Sequence, residues 1–265
     1  MNHEKPTPQN DFTLSTRRTA ILEALNEDGE VRVADLAGQL RTSVVTIRKD
    51  LDDLEKEGML ERVHGGAIKN FRVQQNMIFS ERMNTQKTEK KKIAIATAKL
   101  IGDGESVIIN VGSTSYYVAQ QFRDKKNLIV ITNALHIFNE IAYYKNITSF
   151  FLGGKFNHEM EMTYGDDTLE QLNKYRADKL VIGMDGIDLA AGATTYNHDE
   201  DTIMARMLER SNVKILIVDD AKIGKVSFAH IAPLSAFDIL VTNYAPQHEQ
   251  FYREAERIGL RVVTA

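Results

Sequence analysis

The sequence contains no cysteine and no long hydrophobic run. Without cysteine the chain can form no disulfide and can offer no thiolate as a metal ligand or nucleophile. No apolar stretch approaches the ~18 residues that a membrane-spanning helix needs, so no membrane partner is predicted. The content of 43% hydrophobic and 26% charged residues is ordinary for a soluble globular protein, and a cytoplasmic location is the default expectation.

A strong positive charge is also lacking. The formal net charge of −4 argues weakly against a protein that coats nucleic acid in bulk, although a sequence-specific DNA reader needs only a local positive face. The length of 265 residues allows one large domain, or a small domain followed by a medium one. Residues 1–14 are mostly polar, and we expect a flexible tail there and not a signal peptide.

Three short helical patterns follow the tail. Only Arg41 and Thr42 separate the second pattern from the third, and two short helices with so tight a connection predict a helix-turn-helix. The apolar stripes of the three helices are formed by Ile21, Leu22 and Leu25, by Leu36 and Leu40, and by Ile47, Leu51 and Leu54.

The third helix is polar in a directional sense. Asp52 and Asp53 lie on its outer face one turn after the basic residues, and carboxylates would be repelled by DNA phosphates. Only the N-terminal half of the helix can therefore enter a major groove. The residues predicted to contact DNA are Ser43, Val45, Thr46, Arg48 and Lys49 of this helix, and Arg62 and His64 of the hairpin that follows.

That hairpin is predicted from residues 59–64, which alternate as a strand, a turn at Gly65-Gly66 and a return strand at Ala67-Ile68. It would form the wing of a DNA-binding domain over residues 15–68. Between Arg17 and Arg62 this domain has eight basic and eleven acidic residues. Because its net charge is negative, a single copy should bind DNA poorly, and we expect a homo-oligomer, a dimer or tetramer.

Residues 42–67 resemble the signature of the DeoR family of bacterial transcriptional regulators. The core Thr46–Leu51 matches the family's T-[IV]-R-[RK]-D-L, and Arg62, Gly65 and Gly66 match the end of its wing, with His64 between them. The resemblance implies a winged helix-turn-helix that binds a double-stranded DNA operator.

A polar segment at 69–92 is predicted to be a linker. Its basic end, Glu89–Lys92, could touch the DNA backbone or could be the solvated start of a helix that begins at Ile93. From 93 to 265 we predict an effector-sensing and oligomerisation domain, a doubly wound, mostly parallel α/β sheet. The strands are predicted at 106–110, 128–132, 148–152, 180–184, 215–219, 239–242 and 261–264, and helices at 114–122, 134–143, 199–210 and 247–258.

Small and polar residues recur where these strands end. In parallel sheets ligands bind beyond the carboxyl ends of the strands, where glycine admits the ligand to the backbone and a helix N-terminus favours an anion. The predicted effector-binding residues are Gly112, Ser113, Thr114, Asn133, Gly153, Gly154, Lys155, Asp185, Gly186, Asp188, Lys222 and Gly224.

The resemblance to the DeoR family extends over this domain. It implies a fold like that of sugar-phosphate isomerases and CoA transferases, and a phosphorylated sugar or sugar-alcohol as effector. Asn157 stands where the family usually has arginine, and Ala221 where it usually has serine. Both changes remove a possible phosphate partner, so the class of effector stays open. The function expected is release of a repressor from a sugar, sugar-alcohol or amino-sugar operon.

Two other functions are compatible with the pattern. A sugar-phosphate isomerase or deaminase could use Asp185, Asp188 and Lys222, but residues 183–195 contain no glutamate base, so an enzyme is not expected. A ligand sensor could instead act through protein partners with a vestigial DNA-binding domain. The clusters at 158–161 and 198–201 lack a spacing that would make ligands converge, so no metal or cofactor is predicted.

Overall fold

The structure is a computed structural model that describes residues 14–28, 30–56, 59–63, 65–69 and 79–265. The chain divides into two compact units, residues 1–77 and 78–265. The predicted tail lies almost entirely outside the described residues, as does His64.

The first unit is a winged helix-turn-helix, as predicted. In its described part, the antiparallel sheet has the strand order β1-β3-β2. The helices are α1 (Leu14–Asp28), α2 (Val33–Gln39) and α3 (Val44–Lys56), and the strands are β1 (Glu30–Arg32), β2 (Leu60–Val63) and β3 (Gly66–Lys69).

Apolar residues from all three helices and the sheet form the core of this unit, including Leu25, Leu36, Leu51 and Leu60. The wing sheet also depends on Gly66, because a Cβ atom at that position would lie 2.1 Å from the carbonyl oxygen of Val31. The close approach allows β3 to pair with β1 on one edge and with β2 on the other.

The second unit is built on a seven-stranded sheet in the order β15-β14-β12-β9-β4-β5-β6, and every neighbouring pair is parallel. All seven predicted strands lie in it. Its strands are β4 (Ser106–Ile109), β5 (Leu128–Thr132), β6 (Ile147–Phe151), β9 (Ala177–Gly183), β12 (Ser211–Ile217), β14 (Ile239–Thr242) and β15 (Arg261–Thr264).

Helices cover both faces of the sheet, because alternate residues of each strand enter different cores. Val181 packs in a cluster with Ile93 and Ile137, while Leu180 packs in another with Met207 and others. The helices are α4 (Phe79–Asn84), α5 (Lys87–Lys99), α6 (Ser113–Gln120), α7 (Leu135–Ile141), α8 (Asp166–Asn173), α9 (His198–Glu209) and α10 (Glu249–Arg257).

Smaller sheets flank the seven-stranded one and were not predicted. Their strands are short and lack long apolar runs, so the sequence pattern gave little signal for them. They are the pair β7 (Lys155–Asn157) and β8 (Met162–Tyr164), and a sheet in the order β10-β11-β13 formed by Gly186–Asp188, Gly192–Thr195 and Ala229–Ala232.

The segment predicted as linker needs correction. Its residues from Phe79 onward form α4 and the first turns of α5, and both helices belong to the second unit. Lys90 is only 4% exposed, so the basic run is not simply a solvated helix start. The polar composition concealed this role, because Lys90 alternates with exposed Lys91 and Lys92 and only one face of the helix is buried.

The strand order reverses between β4 and β9. From β4 the chain moves outward through β5 to β6, and then returns to β9 and moves outward on the other side. In sheets of this kind the loops after the two central strands diverge and leave a crevice at the carboxyl edge, which is where ligands bind. The topology therefore points to the ends of β4 and β9 as the centre of a candidate site.

Candidate functional sites

The exposed face of α3 begins with a helix cap. The hydroxyl oxygen of Ser43 accepts the backbone N–H of Thr46 at 3.0 Å, so of the two predicted N-cap residues it is Ser43 that caps. Val45 is 74% exposed. Arg48 and Lys49 are also exposed, and neither has a hydrogen bond or ion pair with any residue that the structure describes. The first two turns of α3 thus present unpaired cationic donors to solvent.

The acidic residues of α3 are engaged within the unit. Asp50 is 2% exposed and accepts a hydrogen bond from Nη2 of Arg17 at 3.0 Å. Asp53 pairs with Arg18 at 2.7 Å. Their charge is therefore compensated by α1, and the negative charge of the unit repels DNA less than the residue count suggests.

Arg62 has a different environment from the one expected of a DNA contact. Its Nε donates to Oδ1 of Asp52 at 3.0 Å and its Nη1 donates to the carbonyl of Gly66 at 2.8 Å. The backbone N–H of Arg62 also donates to Glu55 at 2.8 Å. These bonds fasten the wing to the C-terminal half of α3. They occupy much of the guanidinium, so a role in positioning the wing explains the residue without DNA.

In the second unit, Asn110 joins the two central strands at the crevice. Its Oδ1 accepts the N–H of Gly183 at 2.9 Å and the hydroxyl of Ser115 at 3.0 Å, and its Nδ2 donates to the Gly183 carbonyl at 3.1 Å. The sequence analysis did not select Asn110. Its position after β4 was visible, but its partner lies 73 residues away and no local pattern reports that distance.

Asn110 fixes the loop in which Ser113 and Thr114 begin α6. No residue in the described ranges hydrogen-bonds either hydroxyl. Nearby candidate residues are partly engaged: Nδ2 of Asn133 donates to the Thr163 carbonyl at 2.8 Å, while its Oδ1 is buried and has no hydrogen bond within the described residues. One oxygen of Asp185 accepts the hydroxyl of Thr195 at 3.0 Å. Hydroxyls, an amide oxygen and a carboxylate are thus held at consecutive strand ends.

Other predicted effector residues have intramolecular roles. A Cβ atom on Gly154 would lie 2.1 Å from the hydroxyl oxygen of Thr168, which itself donates to the Gly153 carbonyl at 2.8 Å, so this glycine pair permits close packing on α8. Lys155 follows in β7 with its side chain exposed. These contacts explain both glycines without a ligand.

The loop region around β10 is similar. Oδ1 of Asp188 accepts the backbone N–H groups of Ala190 and Ala191 at 2.8 and 2.9 Å, which stabilises the turn between β10 and β11. Gly186 begins β10, and the N–H of Gly224 donates to the Ile187 carbonyl at 2.8 Å. Asp188 is therefore a turn residue in this structure.

The two departures from the family pattern also have local explanations. Oδ1 of Asn157 accepts the N–H groups of Glu159 and Met160, each at 3.0 Å, so the side chain closes the turn after β7. Ala221 lies in the short 3-10 helix Asp220–Lys222, directly after the end of β12. That helix places Lys222 at the carboxyl edge of the sheet.

Four side chains near this edge were missed by the sequence analysis: Arg82, Lys90, His136 and Asp219. His136 is 7% exposed and stacks on Phe79 with ring centroids 3.7 Å apart. Burial, followed by the nearby charge of Arg82, lowers its pKa to about 3, while the backbone of Gly112 opposes that shift. The ring is therefore neutral at physiological pH and lies between the loop after β4 and helix α4.

No group of three or more His, Asp or Glu residues within the described ranges is arranged to hold a metal ion. In the same part of the chain, no helix combines the length and the apolar character that crossing a membrane requires.

Comparison with known families gives two matches. Residues 17–72 match the DeoR-like helix-turn-helix domain, and residues 85–244 match the DeoR C terminal sensor domain. The first match covers α1 to the wing, and the second covers most of the seven-stranded sheet.

Curated relatives are similar over most of their length. The chain is 31% identical to the putative aga operon transcriptional repressor of Escherichia coli O157:H7, over 86% of each chain. It is 31% identical to the transcriptional repressor GlcR of Bacillus subtilis, over 93% of this chain and 95% of that one. It is 28% identical to the glycerol-3-phosphate regulon repressor of Escherichia coli K12, over 87% and 91%.

Solved structures show a partial likeness. A ribose 5-phosphate isomerase of Methanocaldococcus jannaschii aligns with a TM-score of 0.40 and 16% identity, over 52% of this chain and 55% of that one. A translation initiation factor eIF-2B of Pyrococcus horikoshii aligns with a TM-score of 0.42 and 14% identity, over 84% and 77%. No functional conclusion follows from matches at this level.

Proposed function

Since the chain belongs to the DeoR family of transcriptional regulators, we propose that it represses a sugar, sugar-alcohol or amino-sugar catabolic operon and that a phosphorylated sugar intermediate releases it from the operator. It is a DNA-binding regulator and not an enzyme, in keeping with relatives that are named regulators and repressors. Operator binding places its action in the cytoplasm.

The observation that supports DNA reading most directly is the surface of α3. A Ser43-capped helix presents Val45, Arg48 and Lys49 to solvent, and neither cation is engaged by any described residue. Recognition helices contact base edges with their N-terminal residues in the same way. The acidic C-terminal half is occupied by α1 and the wing, so it need not approach the phosphates.

Release by an effector is supported by the crevice at the end of β4. Ser113 and Thr114 offer hydroxyls at the N-terminus of α6, where an anion is favoured, and Lys222 lies at the end of the neighbouring β12. Helix α4 begins two residues after the boundary between the units and packs against α6 through its Phe79 and Met83. A ligand in the crevice could therefore act on the covalent connection to the DNA-binding unit.

We also propose that the protein acts as a homo-oligomer, a dimer or tetramer. A unit with more acidic than basic residues gains operator affinity when two copies bind adjacent half-sites. Such half-sites should be spaced by about one helical turn of DNA, or a multiple of it.

The DNA-binding proposal is tested by measuring the affinity of the full chain for an operator selected from random DNA. Arg48→Ala and Lys49→Ala should each weaken binding by ~1–3 kcal/mol, because each removes a contact to a base or phosphate. Lys56→Ala, at the other end of the same helix, is the matched control and should leave the affinity close to that of the parent. A double variant at positions 48 and 49 that binds as tightly as the parent would remove α3 as the reading helix.

The effector proposal is tested by adding a panel of phosphorylated sugars and sugar alcohols to the protein–operator complex. Ser113→Ala and Lys222→Ala should keep the parent's DNA affinity and lose release. Lys126→Ala, an exposed lysine on the loop before β5, is the control for a simple change of charge. Release that persists in both site variants would place the effector elsewhere.

A further inference from the structure

Three cationic side chains of the second unit converge at the carboxyl edge of the sheet. Lys90 is 4% exposed, and its Nζ donates to the backbone carbonyl of Arg82 at 2.7 Å. The charge of Lys222 reaches the same ammonium group, as does that of Arg82. Within the described residues, none of the three forms an ion pair.

Burying a cation without a partner is costly, so these side chains call for an explanation. Burial lowers the pKa of Lys90 to about 8; Lys222 and Arg82 lower it further, while Asp219 and Glu89 oppose the shift. Two carboxylates therefore face three cations. A structural ion pair would instead place carboxylate oxygens in direct contact with the nitrogens, as occurs between Lys179 and Glu105.

Several polar atoms in this region lack partners as well. Nε of Arg82 is buried and has no acceptor among the described residues; its Nη2 has only the sulfur of Met160, at 3.3 Å. Lys90 has two further N–H donors beyond the one that Arg82 accepts. An anion with several acceptor oxygens would satisfy these donors at once, which a single carboxylate of the chain does not do.

The cations are held beside the loop that begins α6. The hydroxyl of Tyr117 in α6 donates to the carbonyl of Met83 in α4 at 3.1 Å. On the other side of α4, His136 stacks on Phe79 and senses both Arg82 and the backbone of Gly112. Helix α4 thus brings Arg82 next to the crevice that holds Ser113 and Thr114.

We propose that Arg82, Lys90 and Lys222 form the subsite that binds the phosphate group of a phosphorylated ligand, with the N-terminus of α6 as its fourth wall. The inference rests on the proposed effector function, and adds to it two residues from the segment that the sequence marks as linker. The phosphate would take over the donors of Lys90 and Arg82, while the hydroxyl-bearing part of the ligand extends toward Asn133 and Asp185.

The test is calorimetric titration of the full chain with inorganic phosphate, with glycerol as an uncharged control. Lys90→Met and Lys222→Met should each weaken phosphate binding by about 10- to 100-fold, the value of a charge-assisted hydrogen bond. Lys91→Met is the matched control, because Lys91 is the exposed neighbour of Lys90 on α5. If Lys90→Met fails to fold, Lys222→Met, whose side chain is only half-buried, still decides the result.

Operator affinity and effector release measured on the same variants separate this inference from the proposed function. Loss of phosphate binding in the variants supports the subsite, even if no phosphorylated sugar releases the parent from DNA; that outcome would sink only the effector proposal. Phosphate binding equal to that of the parent overturns the subsite and leaves operator binding untouched. A parent chain that binds no phosphate at millimolar concentration overturns it too.

Discussion

The two units of the chain treat charge in opposite ways. In the DNA-binding unit the buried and half-buried charges are paired with one another, as in Arg17 with Asp50 and Arg18 with Asp53, and the unpaired cations of α3 are exposed. In the α/β unit, by contrast, the unpaired cation Lys90 is buried.

The difference separates scaffold from binding surface. A paired buried charge gives little net stability but is costly to break, so it fixes geometry. An unpaired cation has its partner outside the chain. Where the partner is a large polyanion such as DNA, the cation must be exposed; where it is a small anion, the cation can lie in a crevice and exclude water. The following predictions test this division, beginning with the largest effect.

Asp50→Ala should destabilise the DNA-binding unit by roughly 3–5 kcal/mol, because it leaves Arg17 without its buried partner. Denaturant unfolding of the full chain, followed by a probe in the first unit, measures the change. Glu61→Ala, an exposed carboxylate on β2, should change stability by less than about 0.5 kcal/mol. A small effect at Asp50 would mean that the pair does not fix the geometry of α3.

His136→Leu should change how the stability of the α/β unit depends on pH. The pKa of His136 is lowered to about 3 in the folded state, so below its ordinary value of about 6.5 the unfolded chain takes up a proton that the native state does not. The parent therefore loses about 1.4 kcal/mol per pH unit as the pH falls below that value, and the variant does not.

Between pH 6.5 and 5 the stability difference between parent and His136→Leu should thus shift by roughly 2 kcal/mol in favour of the variant. Thermal or denaturant unfolding at several pH values measures it. His158→Gln, an exposed histidine, should leave the parent's pH dependence unchanged. Parallel curves for parent and His136→Leu would show that the ring is not kept neutral by its surroundings.

The sequence was sufficient for the features that depend on local order. Apolar runs such as 128–132 and 239–242 were recognisable as buried parallel strands, and both have the bounds predicted. The spacing of Ile47, Leu51 and Leu54 correctly placed the buried face of α3, and so its exposed face as well.

Features that depend on distant partners were out of its reach. Arg62 was interpreted as a DNA contact because basic wing residues commonly are, whereas its partner Asp52 lies ten residues earlier, across the turn between α3 and β2. Lys90 was assigned to a linker because three lysines in succession indicate solvent. Only the packing of α5 on the sheet, which no local pattern reports, reveals that the first of them is buried.

The smallest effect expected concerns Arg62, which lies on the border between the two kinds of charge. If it fastens the wing, Arg62→Ala and Asp52→Ala should each weaken operator binding by about 1 kcal/mol, and the double variant should be no worse than either single one. If it contacts a phosphate instead, Asp52→Ala removes a repulsive charge and strengthens binding, while Arg62→Ala reduces the salt dependence by one phosphate contact. Affinities measured at several salt concentrations separate the two, and the ion pair at 3.0 Å leads us to expect the first.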